Sequence, residues 1–201
     1  MSVTFRIATT ADVPVLREVF GREPSDEQIG IAGGDVRRAR RFRELMASAL
    51  FMPAGLAATT VAVDDGRVAG FVQSGSEAGL TWGVALGTLR IFGWRTAGFV
   101  RRDRARRSVH LPHPPGAFHI SELHVLSSRR NQGIGAALLA EAERLARGRG
   151  HTQMSLTTTL SNPARRLYER FGFATVATRE DPGYRAVTGI DGRVLMVKQL
   201  D

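Results

Sequence analysis

The sequence predicts an α/β protein, a single domain built on a mixed central sheet with helices on both faces. Three observations predict it. At 201 residues with 43% hydrophobic content, the chain is long and apolar enough for one well-cored domain. Runs of β-branched and alternating apolar residues interleave with helical apolar stripes in the order βααββ, an insertion, then βαβαββ. Helix-start and turn residues punctuate the second half, among them Gly133 and Pro163.

Val3 to Ala8 alternates apolar positions and reads as a strand. Thr9-Thr10-Ala11-Asp12 opens a helix with an apolar pattern through Phe20, and Gly30 to Gly34 reads as a loop. From Asp35 a second helix sets Phe42, Leu45, Met46, Ala49 and Leu50 on one face with arginines opposite, and it stops near Pro53. "ATTVAVDDGRVAGFVQSG" is a hairpin turning at Asp64-Asp65-Gly66. Residues 80–100 form an apolar helical segment. Arg90, Arg95 and internal glycines argue against a membrane span, leaving a core or lid role. An arginine run and the proline-stiffened "HLPHPPGAF" follow, so residues 76–116 read as a helical, basic insertion in a domain spanning 1–201. "AFHISELHVL" reads as a buried strand, "SSRRNQGIG" as a turn into a helix reaching about Arg149, and "TQMSLTTTL" as a strand. "SNPARRLYERFGF" is a helix begun by Ser161, and "FATVAT" and "RVLMVKQL" are two more strands.

The formal charge of +9 favours an anionic partner. The two arginine clusters, 37–43 and 101–107, read as solvated faces, and the second has no interleaved aromatic residue for base stacking, which argues against nucleic acid. No cysteine is present, so disulfides and cysteine-ligated zinc are excluded. His110, His113 and His119 sit around a proline-rich stretch without a carboxylate cluster, so no metal site is expected. No apolar amino-terminal leader is evident, and the expected location is cytoplasmic. A Trp82/Phe92/Trp94 surface would serve to pair subunits as a homodimer or to touch lipid.

Arg130-Asn131-Gln132-Gly133-Ile134-Gly135 lies between a strand and a helix, where unpaired helix-start amides bind phosphate. The dinucleotide pattern fails because Leu138 occupies the third glycine position and residues 152–160 hold no carboxylate for a ribose; the P-loop fails for want of Gly-Lys-Ser/Thr. The segment has the R/Q-x-x-G-x-G/A form and resembles the acyl-CoA-binding motif of the GNAT acyltransferase superfamily. "NPARRLYERFGF" resembles that family's second signature, an asparagine followed six residues later by a tyrosine and then by Gly-Phe. The resemblance covers about residues 117–200, and the first 75 match in element order alone.

The resemblance implies a splayed GNAT-like sheet and an N-acetyltransferase that moves an acetyl group from acetyl-CoA to an amine by direct attack. It places the coenzyme A diphosphate on the amides of Asn131, Gln132, Gly133, Ile134, Gly135 and Ala136, with Arg130 adding charge. It places the pantetheine arm along Leu123, His124 and Val125, as an added strand, with Asn162 serving the cofactor from the next strand's loop. Tyr168 is implied as the proton donor to the departing thiolate. Strand alternation sets Glu122 and His124 on one face, and Glu122 is the candidate base, acting directly or through water, with pairing to an arginine as its structural alternative. Family members that acetylate protein amino termini carry a glutamate on the strand where this chain has Ser155, Thr157 and Thr159, so a small-molecule acceptor is favoured. A noncatalytic acyl-CoA-binding module and an arginine-rich nucleic-acid binder are the alternatives.

Overall fold

A computed structural model of the chain describes residues 3–21, 24–75 and 81–200; residues 76–80, the start of the expected insertion, lie outside these. Strands β1 (Thr4–Ile7), β2 (Thr59–Asp64), β3 (Arg67–Ser74), β4 (Phe118–Val125), β5 (Gln153–Thr159), β6 (Ala174–Glu180) and β7 (Gly192–Gln199) form one sheet in the order β1-β2-β3-β4-β5-β7-β6. Among the described residues β4 and β5 are its one parallel pair, and the rest are antiparallel. That pair is brief. It runs from Phe118 opposite Met154 to Ile120 opposite Leu156, although β4 continues to Val125 and β5 to Thr159.

The cause is a bulge. On β3, Gln73 faces Glu122 and Ser74 faces Ile120, so Ser121 is an extra residue on β4, and its Oγ donates to the Gln73 carbonyl at 3.2 Å. An inserted residue bends its strand and reverses the phase of its side chains. Phe118 and Ile120 therefore share a core with Leu123 and Val125, despite the odd spacing between the two pairs. Past Ile120 the two strands are no longer paired, which leaves a gap between them in the sheet.

Helices cover both faces. On one lie α7 (Ile134–Gly148) and α8 (Arg165–Arg170), joining Leu138, Leu139, Ala142, Tyr168 and Phe173 to Met154, Val194 and Met196 of the sheet. Leu138 is fully buried, so its truncation to alanine costs about 2–5 kcal/mol. On the other lie α1 (Val13–Gly21), α3 (Val36–Leu50) and α4 (Pro53–Ala57), whose Leu16, Phe20, Ala47, Leu50 and Leu56 pack on Val61 and Phe71. Asp12 starts this half: it accepts from the Thr9 amide at 2.8 Å and from both Arg6 Nη atoms at 2.7 and 2.8 Å.

Helices α2 (Asp26–Ile31), α5 (Trp82–Phe92), α6 (Thr96–Ser108) and α9 (Pro182–Thr188) fill the flank beside α3. The loop expected at Gly30 begins later, because Gly30 belongs to α2. A Cβ there would stand 2.3 Å from the Val187 carbonyl, so glycine is what lets α2 touch α9. Helix α9 interrupts what reads in sequence as two successive strands; Asp181 caps it, accepting from the Tyr184 amide at 2.7 Å, and Pro182 begins it. The apolar segment and the arginine run are two helices joined by a single turn at Gly93–Arg95. Phe92 corrects the expected exposed surface: it is buried with Ile31, Ala39 and Phe99, while Trp82 and Trp94 are exposed.

Candidate active site

The glycine turn follows β4 through Ser127–Arg129, a single 3-10 turn, and leaves Arg130 extended and Asn131 at φ 61°. Arg129 anchors it: Nη1 lies 2.8 Å from Oδ2 of Asp64, whose side chain is wholly buried in the β2–β3 hairpin. Gln132 donates to the Ser128 carbonyl at 3.3 Å, and Arg130 Nε to that of Val125 at 3.4 Å. Gly133 sits at φ 81°, a left-handed conformation that disfavours side chains, and directly precedes Ile134 at the head of α7. No side chain caps this helix, and its first turn has no acidic residue. The opening amides and the positive end of the helix dipole thus have no side-chain cap among the described residues. Gly135 has a further duty: a Cβ there would lie 3.1 Å from Leu167 Cδ2, so the glycine also seats α8 against α7.

Beside the turn, β4 offers one backbone edge. Leu126 donates to the Ala69 carbonyl at 2.9 Å, which makes Leu126 and Ala69 a hydrogen-bonded pair. Antiparallel pairs alternate, so His124 and Glu122 direct their backbone groups to β3 while Leu123 and Val125 direct theirs toward the gap, beyond the end of β5 pairing. The edge and the amides of α7 lie end to end along the chain.

Glu122 and His124 occupy the opposite face, as alternation predicts. His124 Nε2 and Glu122 Oε2 are 2.7 Å apart, and the imidazole packs against Phe20 and Phe71 with ring centroids 5.4 and 5.1 Å away. Arg43 faces them from α3. It is buried, its Nε donates to the Phe20 carbonyl, its Nη1 to Gln28 Oε1 at 2.8 Å, and its guanidinium lies 4.1 Å from the Phe20 ring centroid. Burial lowers the Arg43 pKa and the field of Glu122 raises it, so the two charges sense each other without a direct ion pair among the described contacts. Sequence reading misses this residue, placing it with the solvated arginines. The available signal is its register with Ala39 and Ala47, both buried one turn away on either side.

Tyr168 is buried on α8, edge-on to Phe173 at 6.3 Å. Burial, then the Glu122 charge, pushes its phenol up to about 12. Asn162 spends both ends of its amide within the protein, donating to Thr158 Oγ1 at 2.6 Å and accepting from the Ala164 amide at 2.9 Å. It, rather than the expected Ser161, organises the start of α8, which begins at Arg165. Of the histidines outside the site, His119 Nδ1 is 3.0 Å from Ser155 Oγ and its ring stacks on His113 at 4.6 Å; no group of three potential metal ligands occurs among the described residues.

A cavity of about 740 Å³ lies on the Glu122 side of the sheet, between α3, α5 and α6. Its floor includes Thr157, the β5 residue just past the last β4–β5 pair, and Arg193 of β7; Phe42 on its wall adjoins Arg43. No helix among the described residues is long and apolar enough to cross a membrane.

Residues 26–173, well over half of the chain, match the family model described as the acetyltransferase (GNAT) family. No curated protein matches by sequence. Among solved structures the chain is similar to an N-acetyltransferase, PaiA, from Thermoplasma acidophilum in complex with coenzyme A, at 16% identity and TM-score 0.58 over 99% of both chains. It is similar in fold to the ribosomal-protein-S18-alanine N-acetyltransferase of Escherichia coli, at 15% identity and TM-score 0.56 over 100% of this chain and 95% of that one. A structure assigned to the GNAT acetyltransferases, from Desulfovibrio desulfuricans, gives 19% identity and TM-score 0.60 over the full length of both. With the parted strands, the glycine turn and the matched domain together, the chain belongs to the GNAT acetyltransferase family.

Proposed function

We propose that this protein transfers an acetyl group from acetyl-CoA to the amine of a small molecule in a ternary complex. The observation that carries the reading is the free edge of β4 running into the uncapped start of α7. A pantetheine arm can hydrogen-bond the Leu123 and Val125 backbone as an added strand, and its diphosphate can meet the amides of residues 131–136. Gly133 fits that task, because a Cβ there would meet no protein atom within 4 Å and the space before it is open.

The acceptor amine must lose a proton, the thioester carbonyl must be polarised, and the sulfur must leave. In the proposed sequence the amine lone pair attacks the carbonyl carbon, and a backbone amide of β4 directed into the gap, at the Leu123 end of the arm, receives the oxyanion. Glu122, supported by His124, takes the ammonium proton directly or through a water. The carbon–sulfur bond then breaks, with Tyr168 hydrogen-bonded to the forming thiolate. A phenol near 12 stays protonated at neutral pH, which suits a donor, but full transfer to a thiolate with a thiol-like pKa of about 8.5 would be uphill. The two sites are coupled in the useful direction. When Glu122 accepts the amine proton, one of the two causes raising Tyr168 disappears, and the phenol becomes the stronger donor as sulfur departs.

The α5–α6 segment, lining the cavity with α3, is proposed to receive the acceptor. The test is thiol release from acetyl-CoA across a panel of amines, with the acetylated product identified by mass. Turnover in which product and free thiol appear one to one supports the reading; thioester binding without product from any amine overturns it in favour of a noncatalytic acyl-CoA module.

A further inference from the structure

We infer that the preferred acceptor is an amine on an apolar scaffold that also carries an acidic group, with Arg193 reading the acid. The inference rests on the acetyltransferase reading and adds the class of substrate. One part of the cavity wall is apolar, with Phe42, Met46, Val84, Phe99 and Leu111, and the volume of about 740 Å³ accommodates a ring or a branched alkyl body. Its charged lining stays positive even with the Glu27 that pairs Arg193 counted: Arg106, Arg107 and Arg193 against Asp103 and Glu27. Asp103 accepts from Arg106 Nε at 3.0 Å and from Arg107 Nε at 3.1 Å, so one carboxylate serves two guanidinium groups.

Arg193 is the built element of this set. Its Nη1 is held by Glu27 at 3.0 and 3.3 Å, and Glu27 is itself fixed by the Tyr184 hydroxyl, which donates at 2.8 Å. That clamp leaves the Nη2 and Nε hydrogens of Arg193 without a partner among the described residues. They form one edge of the planar fork that suits a carboxylate or phosphate. The side chain is partly buried at 22% exposure, where an ion pair is screened less than at the open surface. A polyamine or an amino sugar would bring more positive charge into this lining, and an unfunctionalised amine would leave the fork unmatched. Cationic acceptors are disfavoured by the same residues that favour acidic ones.

Matched acceptors test this on the full chain with acetyl-CoA: 2-phenylethylamine, 4-(2-aminoethyl)benzoate with the same body plus a carboxylate, and spermidine. Expected is a kcat/KM at least about tenfold higher for the benzoate than for the neutral amine, with spermidine lowest; R193Q brings the ratio close to one. Because R193Q also releases Glu27, the exposed Arg107 is changed in parallel, and R107Q lowers the ratio by about threefold. A readout independent of turnover is the melting temperature with coenzyme A present, which the benzoate raises more than the neutral amine does. A neutral amine or spermidine that matches the benzoate, or a ratio that survives in R193Q, overturns the proposal while leaving the transferase reading intact. Failure to bind coenzyme A at all overturns the transferase reading first, and this outcome is distinct.

Discussion

Replacing Tyr168 by phenylalanine separates chemistry from packing. The ring is buried against Phe173 with the apolar cluster of α7, α8 and the sheet, and the substitution keeps that ring. Its cost to stability is therefore under about 1 kcal/mol. Turnover should respond differently. Loss of one donor at a charge that forms in the transition state costs about 2.7–4 kcal/mol, or a fall of 10²–10³ in kcat. Since the phenol is proposed to act at sulfur departure and not in binding, KM for acetyl-CoA should change by less than about threefold. The pH profile adds a signed test. The phenol donates only while protonated, and its pKa is raised from 10.0 to about 12, so the interval in which an ordinary tyrosine would titrate remains active. The assay is thiol release at saturating acceptor from about pH 6 to 11, with chemical denaturation of both proteins at pH 7. Equal kcat in the two proteins would refute the assignment, and a falling limb near pH 10 in the wild type that vanishes in Y168F would refute the raised phenol pKa.

Gly133→Ala should raise the Kd for coenzyme A by about tenfold or more while costing about 1 kcal/mol in stability, since the left-handed φ of 81° is strained with any side chain and no atom crowds the new methyl; calorimetry and urea denaturation measure the two effects. E122Q should lower kcat/KM by 10²–10⁴ with coenzyme A affinity retained, and added activity at higher pH, where the amine is already neutral, should narrow the gap; pH–rate profiles of both proteins check it. Asp12 is held far below the usual carboxylate range, first by its hydrogen bonds from Arg6 and next, after an opposing contribution from burial, by those from Thr9. A depressed pKa stabilises the fold above the unfolded value of about 3.9 and loses that contribution as pH falls through the folded one. D12N should thus lower stability by about 1–2 kcal/mol at pH 7, the low end because Arg6 is half exposed, and the difference should shrink below about pH 4 in thermal melts.

The sheet and the glycine turn were legible because their signals are local. Alternation in β4, a left-handed glycine before a helical stripe and a proline after Asn162 each act within a few residues. The gap between β4 and β5 was not legible in that way: it depends on Ser121 being the extra residue opposite β3, a fact of pairing that no spacing within β4 reveals. Arg43 was hidden for a related reason. Its neighbours Arg40 and Arg41 are solvent-exposed, and only the docking of α3 beside α1 and α2 turns Arg43 inward. The short helices α2 and α9 are stabilised by one another through Gly30, so a search for long amphipathic stripes passes over both. Glu122 and His124 could be placed on one face from alternation, but their 2.7 Å contact and the proximity of Glu122 to Tyr168 come from the three-dimensional arrangement.

The most direct measurement is a crystal structure of the wild-type chain grown with coenzyme A. Diphosphate oxygens are expected within hydrogen-bond distance of main-chain nitrogens between Asn131 and Ala136, with the pantetheine arm paired with Leu123 and Val125 in the gap between β4 and β5. Ordered coenzyme A on any other surface, with that gap filled by solvent, would contradict this placement.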